Sequence, residues 1–215
     1  MNRTVVDGLI AGGVVSIALA AAGCGTGTAQ AGVPGSALFG SCVACHGPSG
    51  EGNKAIGAPR IAGMPQWYLA QQLTRFQTGL RGKHPDDAEG LRMRAMSQQM
   101  LTAAEIAAVS QYVAGLSPVT NPATLHTGDA AAAQGVYARC VPCHGARGEG
   151  NQQVNAPPLA GLDDWYVASQ LRKFRAGMRG GAEGDAVGPA MRAMALSVEP
   201  ATVDELAAYV HSLQK

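Results

Sequence analysis

"CVACHG" (Cys42–Gly47) returns 98 residues later as "CVPCHG" (Cys140–Gly145). Two thiols separated by two residues are shared by redox dithiols and zinc ribbons, so C-x-x-C alone decides little. The histidine directly after each second cysteine separates the readings. A redox dithiol needs neither that histidine nor a second copy. A four-cysteine zinc site joining the pairs would leave His46 and His144 without a role.

In C-x-x-C-H the thiols add across the vinyl groups of haem, and a helical turn between them aims the next imidazole at the iron. Cys42, Cys45, Cys140 and Cys143 are therefore expected to hold two covalent haem groups, with His46 and His144 as iron ligands. The fifth cysteine, Cys24, leaves no partner for a disulfide framework.

Sliding the chain on itself by 98 residues shows that the repeat extends well beyond the motif. Phe39 falls on Tyr137, Gly50–Asn53 on Gly148–Asn151, Ala58-Pro59 on Ala156-Pro157, and Trp67-Tyr68 on Trp165-Tyr166. Leu73, Phe76 and Gly79 fall on Leu171, Phe174 and Gly177, and "MRAM" at 93–96 falls on "MRAM" at 191–194. Only the last helix slips by one, Tyr112 matching Tyr209 and Leu116 matching Leu213. One domain has been duplicated. The polar stretch "SPVTNPATLHTGD" (117–129) carries two prolines and reads as the connection. The boundaries expected are a first domain at 33–117, a linker at 118–128 and a second domain at 129–215.

At 215 residues the chain allows two domains of under about 100 residues, small enough for each core to need help. Ten aromatic residues and 29 glycines suit compact packing around a large prosthetic group. A formal charge of +1 with no basic stripe argues against a nucleic-acid partner. The first 23 residues read as an export signal: Arg3, then an apolar run from Leu9 to Ala22, too short to span a bilayer. Small residues before Cys24 resemble a lipoprotein signal, with Cys24 lipidated and 24–32 as a tether. The competing reading is an ordinary signal cleaved after Ala29 or Ala31.

Periodicity makes each unit helical. Leu69, Leu73, Phe76 and Leu80 form an i, i+4, i+7, i+11 stripe, as do Val167, Leu171, Phe174 and Met178. Thr102 with Glu105, and Thr202 with Glu205, have capping-box spacing ahead of the closing stripes. No run of strand alternation stands out, so an all-α fold is expected.

A second axial ligand must come from far along each domain, and methionine at matching positions is the natural supplier of a soft neutral donor. Met93 with Met191 and Met96 with Met194 are duplicated; Met64, Met100 and Met178 are not, and read as core or loop.

The order C-x-x-C-H-G, proline, then methionine before a final helix resembles class I cytochromes c. More closely, "APRIAGMPQWYLAQQLTRFQTG" (58–79) and "APPLAGLDDWYVASQLRKFRAG" (156–177) resemble the bacterial dihaem cytochrome c4 family, over about Gly35 to Leu213. The resemblance implies a tandem pair of class I domains, each wrapped around one haem c. It implies Met93 and Met191 as iron ligands. Met96 and Met194 stay as alternatives, because Met93 stands one residue farther from its closing helix than Met191 does. It also implies that the carbonyls of Pro59 and Pro157 accept from the ligand histidines. Trp67, Tyr68, Trp165 and Tyr166 could reach haem propionates, although core packing is the simpler role. Arg75, Arg81, Arg172, Arg175 and Arg179 could pair with propionates; solvated helix faces are the simpler reading for most. His84, His126 and His211 have no repeat counterparts and read as surface residues.

Two irons closed at both axial positions would carry electrons and transform no small molecule. The expectation is a carrier on the outer, periplasmic side of the bacterial cytoplasmic membrane, passing electrons from a quinol-oxidising complex to a terminal oxidase. The alternatives are a permanently bound electron-entry subunit of an oxidase or dehydrogenase, and a dihaem peroxidase-like enzyme with one open iron.

Overall fold

The computed structural model describes Met1, residues 32–99, 102–126 and 128–213. The leader and Cys24 lie outside the described residues, as does Met100. From Gly32 onward the chain groups as one body, so contacts between its two halves are part of the fold.

Among the described residues the structure is α-helical, with two isolated antiparallel bridges, Asn53 with Ala58 and Asn151 with Ala156. The first half runs α1 (Gly35–Phe39), α2 (Val43–His46), a 3₁₀ turn, α3 (Gln66–Thr78), α4 (Ala88–Gln99) and α5 (Ala103–Ala114). The second repeats it as α6 (Ala130–Tyr137), α7 (Val141–His144), a 3₁₀ turn, α8 (Asp164–Arg175), α9 (Gly188–Leu196) and α10 (Val203–Ser212), with an added 3₁₀ turn at Pro200–Thr202. No described helix is long and apolar enough to cross a membrane.

In each half the first and closing helices pack together, α1 on α5 and α6 on α10, while α3 and α8 lie against the closing helix and the helix before it. Phe39, Val109 and Val113 form the first core. Gly35 makes that packing possible: a Cβ there would come within 2.2 Å of the Ala108 carbonyl oxygen. The second core is larger, built on Tyr137, Val203, Leu206, Ala207 and Val210, and Met64 of the first half is one of its buried members. Burial of apolar surface thus continues across the boundary between the halves.

Three expectations change. Both apolar stripes outrun their helices: α3 stops at Thr78 with Gly79 in the left-handed region (φ 80°), and α8 stops at Arg175 with Gly177 likewise (φ 74°). Leu80 and Met178 therefore lie beyond the helix ends. The capping box forms at Thr102 but not at Thr202. Under the one-residue slip of the closing helix, the position matching Thr102 is Glu199. Thr202 itself is already helical and its hydroxyl donates to the Glu199 carbonyl at 3.0 Å. His211, read as a surface residue, is half-buried, its Nδ1 donating to the Leu162 carbonyl at 2.7 Å.

Candidate functional site

Each C-x-x-C-H segment is a single helical turn. Cys42 sits at the N-cap of α2 and its carbonyl accepts from the His46 N–H at 2.8 Å; Cys140 does the same for His144 at 2.9 Å. The turn cannot continue, because Gly47 and Gly145 adopt positive φ (78° and 81°). All four thiols are free. Cys42 and Cys140 are half-buried, Cys45 and Cys143 exposed. Burial pushes the Cys42 and Cys140 thiols up.

The loop after each turn folds back to orient the histidine. The His46 carbonyl accepts from Gly52 N–H at 2.8 Å, and Asn53 pairs with Ala58 through bonds of 2.7 and 3.0 Å. These bonds present the Pro59 carbonyl to His46, whose Nδ1 donates to it at 2.8 Å. Gly150, Asn151 and Ala156 repeat the arrangement, and His144 Nδ1 donates to the Pro157 carbonyl at 2.9 Å. Gly52 is required there: at φ 88°, a Cβ would come within 2.5 Å of the Arg60 backbone nitrogen. Burial lowers the pKa of both histidines, more than the backbone bond raises it, so both rings are neutral near pH 7. A neutral imidazole whose Nδ1 donates has its lone pair on Nε2, free to bind a metal.

His46 and Cys42 lie on a cavity of about 540 Å³ walled by Ile61, Leu69, Leu73, Phe76, Val109 and Val113. Met93 lines the same cavity, and Met96 is not among its lining residues. In the second half Met191 packs against the core of Tyr137, Leu171 and Val203, a core that does not include Met194.

The cavity reaches across to the second half, and there a group of residues emerges that periodicity within one unit cannot reveal. Arg81 donates to Gln72 in its own half at 2.8 Å and to Tyr166 and Gln170 in the other at 3.0 and 2.9 Å. One repeat later, Arg179 donates to Gln170 at 2.9 Å, and to Gln72 and Tyr68 across the boundary at 3.1 and 3.5 Å. Each guanidinium also lies over a phenylalanine of its own half, 4.4 Å from the Phe76 centroid and 4.6 Å from that of Phe174. Beside them Arg75 pairs with Asp185, and Lys173 with Asp87 at 2.5 Å. Arg75, Arg81 and Arg179 are buried, where solvated helix faces were the simpler expectation; Arg172 is the exposed one, pairing with Asp204 at 2.6 Å. Trp67 and Trp165 make edge contacts with Tyr68 and Tyr166.

The residues fit a haem. The Cys42 thiol, a neutral histidine and a methionine line an apolar cavity in the first half, with the exposed Cys45 thiol on the same helical turn. Arg81 lines the cavity and shares Gln72 and Gln170 with buried Arg179; among the described residues no carboxylate is hydrogen-bonded to either guanidinium, and Arg179 Nε has no hydrogen-bond partner. Burial and the neighbouring Arg81 lower the Arg179 pKa. Anionic propionates would satisfy that cluster.

Known proteins share this plan. The cytochrome c family model matches residues 33–117 and again 130–214. Cytochrome c4 of Stutzerimonas stutzeri is 31% identical, covering 99% of this chain and 100% of that protein. The thiosulfate dehydrogenase electron acceptor of Thiomonas intermedia (strain K12) is 37% identical over 66% of this chain, which spans 65% of that relative's length. The solved structure of reduced cytochrome c4 from Pseudomonas stutzeri superposes with a TM-score of 0.66 at 28% identity, covering 86% of this chain and 100% of that one.

Proposed function

Because the chain belongs to the cytochrome c4 family, dihaem electron carriers with two haem c groups, we propose that Cys42 and Cys45, and Cys140 and Cys143, hold those groups through thioether bonds. His46 with Met93, and His144 with Met191, are the residues that would hold the two irons. The observation that carries this assignment is the His46 ring, locked by Pro59 at 2.8 Å and sharing one apolar cavity with Met93. Bound haem supplies a one-electron Fe(III)/Fe(II) couple.

The chain's own residues set the conditions for that couple. Pro59 and Pro157 fix ring orientation and basicity. The apolar walls exclude water, and a thioether favours the reduced metal. Buried Arg81 and Arg179 each bond to a glutamine of the other half, so that charge in one half is felt in the other.

The reading extends to a protein of the extracytoplasmic side, with domains at 33–117 and 129–215 joined by 118–128, and a leader before Cys24 whose thiol takes a lipid. The donor is a quinol-oxidising complex and the acceptor a terminal oxidase. Similarity to a thiosulfate dehydrogenase electron acceptor favours a second reading of the donor: a sulfur-compound dehydrogenase delivering electrons to this chain as a bound subunit. Methionine candidates in both halves count against a peroxidase-like enzyme.

The test is the optical spectrum of the holoprotein, oxidised and reduced. Two equivalents per chain of the methionine–iron charge-transfer band, with no change on adding carbon monoxide, support two closed irons. One high-spin or carbon monoxide-binding iron overturns one methionine assignment. Stoichiometric co-purification with a dehydrogenase would select the second donor.

A further inference from the structure

The peptide group joining Pro59 to Arg60 is hydrogen-bonded at both ends. Its carbonyl accepts from His46 Nδ1 at 2.8 Å, and its N–H donates to Asp163 Oδ2 at 2.9 Å. Asp163 belongs to the second half, stands at the N-cap of α8 and is 3% exposed. A buried carboxylate of one half is thus a single amide away from the histidine of the other. The connection is not duplicated. The matching peptide in the second half joins Pro157 to Pro158; its carbonyl accepts from His144 at 2.9 Å, but Pro158 has no N–H to donate. The position matching Asp163 is Pro65, which has no carboxylate to accept.

We propose that Asp163 is a positioning residue that tunes His46 through the Pro59–Arg60 amide and holds the reduction potential of the first haem lower than the same axial ligands would set alone. The proposal rests on His46 being an axial ligand. An amide is conjugated, so an anion accepting from its N–H moves electron density onto its carbonyl oxygen. Hydrogen bonds in such a chain strengthen one another by roughly 10–30% in a low-dielectric interior. The Pro59 oxygen becomes a better acceptor, the Nδ1–H bond of His46 is polarised, and the ring becomes a more basic donor at Nε2. A more basic ligand favours the ferric over the ferrous state.

The surroundings hold the carboxylate in place. The other carboxylate oxygen of Asp163 accepts from Asn121 Nδ2 at 2.7 Å. The Arg60 guanidinium lies close enough to feel the Asp163 charge but donates to the carbonyls of Ala62 and Gly161 at 3.3 and 2.8 Å and not to the carboxylate. Asp163 was absent from the residues anticipated above, because the signal lies in a pairing across the halves between residues 103 apart in sequence.

Two variants of the holoprotein test the relay. Asp163→Asn keeps the shape and weakens the acceptor. Arg60→Pro deletes the N–H and copies the Pro-Pro peptide that the second half already tolerates; Arg60→Ala is its reference, losing the guanidinium while keeping the N–H. Midpoint potentials are read by redox titration, with hyperfine-shifted proton NMR following the two haems separately. The first midpoint is expected to rise in Asp163→Asn relative to the unsubstituted protein, and in Arg60→Pro relative to Arg60→Ala, while the second stays. A change of roughly 10–30% in the strength of one hydrogen bond corresponds to a shift of about 1.2- to 1.7-fold in the ferric/ferrous ratio at fixed potential, where tenfold would be about 59 mV for one electron. An unmoved first midpoint in variants with an unchanged low-spin spectrum overturns the relay. So do two midpoints that move together, which mark altered docking of the halves. Should either variant fail to fold, the other decides. Failure of the ligand assignment is seen separately, as a first haem that stays fully low-spin in His46→Ala.

Discussion

Arg75 and Asp185 pair across the boundary between the two halves, and the residues one repeat away, Lys173 and Asp87, form the reciprocal pair. The Asp185 side chain is fully buried and that of Arg75 is 10% exposed. Removing one partner of a buried pair leaves an uncompensated charge and costs about 3–5 kcal/mol. Asp185→Asn is therefore expected to split the thermal unfolding of the holoprotein into two calorimetric transitions. Asp87→Asn should be milder, because Lys173 keeps Glu89 at 2.8 Å. Equal losses in the two variants would contradict this account.

Acid should loosen the second half at its junction with the connecting segment. The Asp164 carboxylate accepts from the Thr124 N–H and hydroxyl, the Leu125 N–H and the Trp165 N–H, at 2.5 to 2.8 Å. Burial works against its ionisation, yet these donors outweigh it and hold the carboxyl below its usual range. Asp185 is shifted the same way, by Arg75 and the Gly188 and Val187 N–H groups against its burial. A carboxylate depressed in the folded state stabilises above its unfolded pKa, about 3.9, and loses that contribution as pH falls through the folded value. Urea midpoints measured between about pH 5 and pH 3 should fall steeply. Asp164→Asn, less stable at pH 7, should show a shallower fall.

The two methionine pairs can be told apart by substitution. Met93 lies on the cavity wall with His46, and Met96 does not. Met93→Ala is expected to remove half of the methionine–iron charge-transfer absorbance and open the first haem to carbon monoxide; Met96→Ala should leave both unchanged. Met191→Ala and Met194→Ala should divide in the same way for the second haem. Loss of the band on replacing Met96 would move the ligand by one helical turn.

The duplicated all-α architecture was legible because it is local: an apolar stripe, a glycine or a C-x-x-C-H turn carries its meaning within a few residues. The cross-boundary residues were not. On α3, Gln72 and Arg75 are buried beside Phe76, but a polar helix face turned toward a second domain has the same sequence as one turned toward water. The sequence trace is that Tyr68, Gln72, Arg81 and Asp87 recur as Tyr166, Gln170, Arg179 and Asp185, a repetition of polar residues that solvent exposure does not require. Thr202 misled for a different reason. Its spacing to Glu205 fits a cap, but Pro200 starts a 3₁₀ turn that carries the threonine into helical backbone before the cap position is reached.

That difference between the closing helices gives the last prediction. Thr102 has extended backbone (ψ 158°), its hydroxyl oxygen accepts from Glu105 N–H at 3.3 Å, and Glu105 Oε2 accepts from Thr102 N–H at 2.9 Å. Two of the orphan donors at the start of α5 are satisfied by this exchange. Losing an N-cap side chain costs typically about 1 kcal/mol, and α5 carries Val109 and Val113 of the first core. Thr102→Ala should lower the stability of the holoprotein by about that amount in urea unfolding. Thr202 caps nothing, and its hydroxyl bonds back to Glu199, so Thr202→Ala should stay within about 0.5 kcal/mol of the unsubstituted protein. Equal losses at the two threonines would mean that α10 is capped through Thr202 in solution, against the backbone geometry found here.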